Sequence, residues 1–140
     1  MMEFKHHMPV QIRFNDVDIV GHVNNAVYQE YFDRGRVEYF KSVFKRSIDW
    51  KKVGFVIASI QVDFFNPVFM DDTISIATKV ESTGEKSLNM VQLVLKEGED
   101  EPVAMARTVM VGFDYAKRES MKIPSDWLAM LEQFEGKAFL

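Results

Sequence analysis

Apolar and polar positions divide this chain into a front half dominated by one long helix and a rear half built of strands. Val10, Ile12 and Phe14 alternate with Gln11 and Arg13, the period-two pattern of a short strand. From Ala26 to about Arg46 the apolar positions change period: Val27, Tyr28, Tyr31, Phe32, Gly35, Tyr39, Phe40, Val43 and Phe44 recur at i, i+3 and i+4. That spacing predicts one apolar stripe on a helix of about 30 Å. Glu30, Asp33, Arg34, Glu38, Lys41 and Lys45 mark the opposite face. Gly35 lies on the stripe, where the missing side chain would let the helix press against a sheet at about 1 kcal/mol in helix propensity. Period two then returns, predicting strands over 53–65, 74–80, 87–96 and 103–113. They are separated by Asn66-Pro67, by Ser82-Thr83-Gly84-Glu85 and by the charged turn 97–102. Asp114 to Pro124 reads as a polar connection, and Ser125 as the cap of a closing helix carrying Trp127, Leu128, Met130, Leu131 and Phe134. Short turns between consecutive strands imply antiparallel pairing. The expected class is α+β: one long helix across one face of a curled antiparallel sheet of about five strands, with a short C-terminal helix. The sheet edges then need cover, which pairing with a second copy would supply.

Composition narrows what such a layout can do. The 140 residues contain no internal repeat and no Pro/Gly/Ser-rich linker, so a single domain over 1–140 is expected. Seventeen Lys+Arg against twenty-one Asp+Glu give a net charge of −4, which argues against a general nucleic-acid-binding face. A small basic patch for one phosphorylated ligand remains open, with Lys86, Lys96, Arg107, Lys117 and Arg118 as candidates. The absence of cysteine excludes disulfides, thiolate zinc sites and a cysteine nucleophile, and fits a reducing cytoplasm. The longest apolar-leaning run, Val53 to Ile60, is far short of the roughly 20 residues of a membrane span, and the first residues carry no signal-peptide pattern. His6 and His7, close to the terminus, are expected to be solvated.

The densest polar cluster runs from Asn15 to Asn25, between the first strand and the long helix. Asn24 is placed to cap that helix, with Val23 and Tyr28 in the two positions of a hydrophobic staple. The backbone N–H groups of Asn25, Ala26 and Val27 are then expected to lack intrahelical acceptors. They would be free donors at the positive end of a helix dipole, suited to an anion or a developing oxyanion. Asp16, Asp18 and His22 stand just upstream, so a base or nucleophile, a polar partner and an oxyanion hole occur within ten residues of chain. That is the set an acyl-transfer site requires. The same residues are also common turn and cap formers.

Arg13-Phe14-Asn15-Asp16-Val17-Asp18, then Gly21-His22-Val23-Asn24-Asn25-Ala26-Val27-Tyr28, then Tyr31-Phe32, Arg36 and Tyr39-Phe40, resembles the signature of hot-dog-fold thioesterases of the 4-hydroxybenzoyl-CoA thioesterase type. The GHVNN stretch is especially similar to acyl-ACP thioesterases, and the order of elements agrees over almost the whole chain. The resemblance implies a hot-dog fold, two protomers sharing one continuous sheet, and active sites at their interface. Pairing of dimers into tetramers stays open. The resemblance implies hydrolysis of acyl-CoA or acyl-ACP thioesters with no cofactor and no metal. It makes Asp18 the catalytic carboxylate, the Asn25 N–H the oxyanion donor, His22 a catalytic histidine and Asp16 a structural hydrogen-bonding residue. Val20 stands where the acyl-ACP branch commonly has Asn. Asn24, Tyr28 and Phe32 are expected beside the substrate, with Ile57, Ala58 and Ser59 beside the partner's site. Two other readings share the fold: a non-catalytic acyl-CoA-binding module and a hydratase or dehydratase acting on acyl thioesters.

Overall fold

The computed structural model describes residues 3–139. In chain order it contains β1 (His6–Val10), α1 (Asn25–Phe44), β2 (Val53–Phe64), β3 (Ile74–Thr83), β4 (Ser87–Lys96), β5 (Ala104–Asp114), β6 (Glu119–Ser120) and α2 (Ser125–Glu135). The strands form one antiparallel sheet in the order β1-β3-β4-β5-β2, with the two-residue β6 added against β5. The long helix lies on one face and the short helix closes one end, the expected α+β hot-dog arrangement.

Four local departures from the sequence pattern have physical causes. First, β1 ends at Val10, where the alternation begins. The Asp16 carboxylate folds back onto Arg13, accepting from its backbone N–H at 2.9 Å and its Nε at 3.1 Å. Residues Phe14–Asp16 therefore coil into a single 3-10 turn, and Phe14 is left exposed. Second, His6 is not solvated. It pairs opposite Thr78, and its ring lies 5.8 Å from that of Tyr39. Third, β2 does not pair with the next strand but with β5. The N–H groups of Phe65 and Asn66 both donate to Val103 O, and the segment beyond Pro67 then delivers Val68 to the head of α1. Fourth, Ser125 is the first residue of α2 rather than its cap. Pro124 takes the cap position, with φ of −57°.

The core explains why α1 sits so close to the sheet. A Cβ on Gly35 would lie 2.8 Å from both Gln92 Nε2 and Ile76 Cγ2, so only glycine fits this approach. Gln92 of β4 is fully buried; its amide donates to Phe32 O at 2.9 Å and to Thr78 Oγ1 at 3.0 Å. Its carbonyl accepts from Arg36 Nη1 at 3.0 Å, which places an arginine inside the apolar stripe. The first half of α1 packs Tyr28, Tyr31 and Phe32 with Met8, Val10, Ile12, Val23 and Val68. The second half packs Tyr39, Phe40 and Phe44 with Phe55, Leu88, Met90, Met110, Trp127 and Leu131.

Candidate active site

The polar segment ahead of α1 is a compact turn fixed from both sides. Asp18 N–H donates to His22 O at 2.8 Å, Gly21 N–H to Asp18 O at 3.0 Å, and Asn24 N–H to Asp16 O at 2.8 Å. Gly21 has φ of +85°, a conformation that glycine adopts without strain. Asp16 is the buried anchor of this turn. Beyond its two bonds to Arg13 it accepts from the Tyr31 hydroxyl at 2.7 Å. Burial pushes its carboxyl up, but the Arg13 N–H, the Tyr31 hydroxyl and the Arg13 guanidinium outweigh that and hold it below the usual value. Asp18 is exposed. Its Oδ1 accepts from the N–H groups of Val20 and His22, each at 3.1 Å.

The opposite side of the turn is bonded to the segment between β2 and β3. Val23 N–H donates to Val68 O at 2.7 Å, and His22 bridges to Phe69. The His22 and Phe69 rings meet edge to face at 4.8 Å. Phe69 N–H in turn donates to Asp72 Oδ2 at 2.8 Å, and Lys96 Nζ lies 3.1 Å from the same oxygen.

These contacts aim the start of α1. Asn24 is the N-cap as expected, its side chain accepting from Ala26 N–H at 3.0 Å. Val27 N–H donates to Asn24 O at 2.9 Å. The three expected free donors are therefore reduced to one: the Asn25 N–H, which alone has no acceptor among the described residues. Asn25 itself lines a cleft of about 250 Å³ together with His22, Val23, Tyr28 and residues 64–67. Tyr28 is buried at the inner wall, its ring 5.0 Å from Phe64, and burial raises its hydroxyl pKa, with the Asp72 charge adding to the effect.

Of the residues singled out in the sequence, this cleft brings together His22, Asn25 and Tyr28. Asn24 adjoins it as the cap. Asp18 is outside the lining, joined to it through the His22 N–H. Phe32 is wholly buried in the core and lines no described cavity, so it offers no surface to a substrate in this protomer. Ile57, Ala58 and Ser59 are exposed on β2, where a register shift between Ile57 and Ser59 makes Ala58 the extra residue of a bulge. Phe69, Asp72 and Lys96 are not grouped with the site by sequence spacing. The only local signal is Asp71-Asp72 after an Asn-Pro break. Among the described residues no helix is long and apolar enough to cross a membrane, and no cluster of His, Asp and Glu is arranged to hold a metal ion.

Comparison with known proteins gives the family and the fold. A family model described as the Thioesterase-like superfamily matches residues 12–132. The chain is 24% identical over 127 residues to the long-chain acyl-CoA thioesterase FadM of Escherichia coli K12, covering 89% of this chain and 95% of that one. It is 27% identical over 127 residues to the chloroplastic acyl-acyl carrier protein thioesterase ATL3 of Arabidopsis thaliana, covering 89% and 66%. Among solved structures, a thioesterase from Thermus thermophilus crystallised with coenzyme A and Zn superposes with a TM-score of 0.85 at 28% identity over 98% of both chains.

Proposed function

We propose a function on one premise: this chain belongs to the thioesterase-like superfamily. The function is hydrolysis of an acyl thioester, carried by coenzyme A or by an acyl carrier protein, to a free acid and a thiol. A net charge of −4 favours coenzyme A over an acidic carrier protein. One observation supports the reading: at the head of α1 the Asn25 N–H has no acceptor among the described residues, and Asn25 lines a cleft beside His22.

A thioester carbonyl is already electrophilic and a thiolate leaves readily, so the protein has two tasks. The first is to stabilise the negative charge that develops on the carbonyl oxygen. The Asn25 N–H, at the positive end of a 20-residue helix, does this. The second is to deliver oxygen. Asp18 either takes a proton from water as that water attacks the carbonyl carbon, or attacks directly to give an anhydride that water then opens. In both cases the C–S bond breaks and the thiolate is protonated on release. Asp18 spends only Oδ1 on its own turn; Oδ2 has no hydrogen-bond partner among the described residues. His22 borders the reacting carbonyl and Tyr28 walls the acyl group.

The site is completed by a second copy of the chain. β2 is twelve residues long, pairs on one side only and carries a single charged side chain, Asp63. Long exposed edges of low charge require cover, and two-fold antiparallel pairing of β2 with its copy provides it. Ile57, Ala58 and Ser59 then face the partner's cleft. The protein works as a cytoplasmic enzyme of lipid metabolism in this account.

Release of free thiol from a panel of acyl-CoA and acyl-carrier-protein thioesters tests the reading. Wild type is expected to hydrolyse members of the panel. Asp18→Asn, which keeps size and loses basicity, is expected to lose about 10³-fold or more in kcat. Unchanged hydrolysis in the variant refutes the role of Asp18. Tight acyl-CoA binding without hydrolysis by wild type identifies a binding module instead, and hydration of enoyl-CoA a hydratase.

A further inference from the structure

The segment that leads into α1 is the middle strand of a small three-stranded patch separate from the main sheet. Residues 17–18 flank it on one side and residues 68–69 on the other, through the Val17–Val23 and His22–Phe69 bridges. The first flank is anchored by buried Asp16. The second has its own anchor, far from the first along the chain. Asp72 Oδ2 accepts from Phe69 N–H at 2.8 Å and pairs with Lys96 Nζ at 3.1 Å. Lys96 Nζ also donates to Pro67 O at 3.5 Å and lies 5.7 Å from the centre of the Phe69 ring. Lys96 ends β4, a central strand of the main sheet, so the patch is tied to that sheet. Both partners are mostly removed from solvent, with side-chain exposures of 16% and 22%. Such a pair is less screened than the exposed ion pairs elsewhere on this surface.

We propose that the Asp72–Lys96 pair is a positioning clamp for the reaction centre: it fixes Phe69, and through Phe69 it sets the His22 ring and the segment that presents the Asn25 N–H. Neither residue lines the cleft or touches the reacting atoms. Their effect reaches the site mainly through the edge-to-face His22–Phe69 pair and the Val23–Val68 hydrogen bond, with the long Lys96 contact to Pro67 O and the Asp72 charge near Tyr28 as further routes. An oxyanion donor must be in place before charge develops, so a small displacement of this segment weakens the transition state more than the bound ground state. The clamp rests on the hydrolase reading for its kinetic consequence but not for its structural one.

The test uses full-length Asp72→Asn and Lys96→Met, with Asp71→Asn as control. Asp71 is exposed and has no side-chain partner among the described residues. Asp72→Asn is expected to lower kcat about ten- to a hundredfold, as remote misplacement of reacting groups does. KM is expected to stay within about twofold, because substrate binding itself is not removed. Lys96→Met, which leaves the Asp72–Phe69 bond in place, is expected to move kcat in the same direction by less, and Asp71→Asn not at all. In 1H–15N spectra the amides of His22, Val23 and Asn25 are expected to shift in Asp72→Asn while those of α2 stay fixed. A wild-type kcat in Asp72→Asn, a loss confined to KM, or unmoved amides at 22–25 overturns the clamp. Should Asp72→Asn not fold, Lys96→Met alone decides by the same criteria. If wild type cleaves no thioester, the hydrolase reading falls, and the amide shifts alone decide the clamp.

Discussion

The two ends of α1 are built on opposite principles. At the C-terminal end, Phe40, Phe44, Phe55 and Trp127 pack ring against ring at 5.2–6.2 Å, α2 supplying Trp127 and Leu131, while Phe40 and Phe55 also border an open apolar pocket with Trp50. Even its one buried carboxylate, Glu135, is consumed internally, by the Tyr39 hydroxyl and by Val80 N–H. At the N-terminal end the apolar side chains are left open: Ile19, Val20, Phe64, Phe65, Phe69 and Met70 are all exposed around a cleft. There hydrogen bonds to Asp16, Asp18 and Asp72 order the segment ahead of the helix, on top of the packing of Tyr28, Tyr31 and Phe32. Both ends are packed on the sheet, but the Asn25 N–H at the front has no acceptor among the described residues. A helix terminus closed by apolar packing has no donor to offer, and one closed by water has no fixed geometry.

The largest effect is expected at the C-terminal end of α1. Phe44 is fully buried, so Phe44→Ala is expected to cost about 3–5 kcal/mol of unfolding free energy, measured by denaturant titration. Turnover per folded molecule should remain near wild type, since Phe44 lies in the rear cluster and not in the cleft. A matching loss of turnover would mean that the two ends are not separable. The front end gives a smaller effect with a different signature. Asp16→Asn is expected to cost about 1–3 kcal/mol by unpairing a buried, charge-assisted network. The Asp16 carboxyl is held below its ordinary value by Arg13 and Tyr31, although burial opposes them. A folded pKa below the unfolded one stabilises above the unfolded pKa and is lost as pH falls through the folded pKa. The stability gap between wild type and Asp16→Asn should therefore be full at neutral pH, begin to narrow near about pH 4, the unfolded value of an aspartate, and close only as pH falls through the lower folded pKa. A gap independent of pH would assign it to shape rather than charge.

These contrasts also explain what could be read from the chain. The long helix, its cap at Asn24, the glycine at position 35 and the strand 87–96 follow from period and local chemistry, and the structure has them where the pattern puts them. From capping alone the Asn25 donor is legible only as one of three, because a cap accounts for specific N–H groups and the pattern does not say which; the family resemblance singles it out. Elements set by long-range bonds were not legible. β1 stops at Val10 because Asp16 folds back onto Arg13. β2 pairs with β5 because the Asn66-Pro67 segment leaves the sheet for the head of α1. Arg36 is buried because Gln92, fifty-six positions away, accepts from it. Asp72 and Lys96 meet the site only once that crossing is made. Local pattern reports which residues form an element; it does not report which distant carboxylate ends one.

The Asn25 N–H, without an acceptor among the described residues, is the centre of the proposed reaction. Uniformly 15N-labelled protein titrated with an acyl-CoA thioether ketone, which keeps the carbonyl and cannot be hydrolysed, tests it directly. The Asn25 amide proton is expected to move downfield and to be the largest shift in the spectrum, as expected when a free N–H gains a carbonyl acceptor. Saturable binding that leaves Asn25 unmoved, with the shifts centred elsewhere, would contradict it.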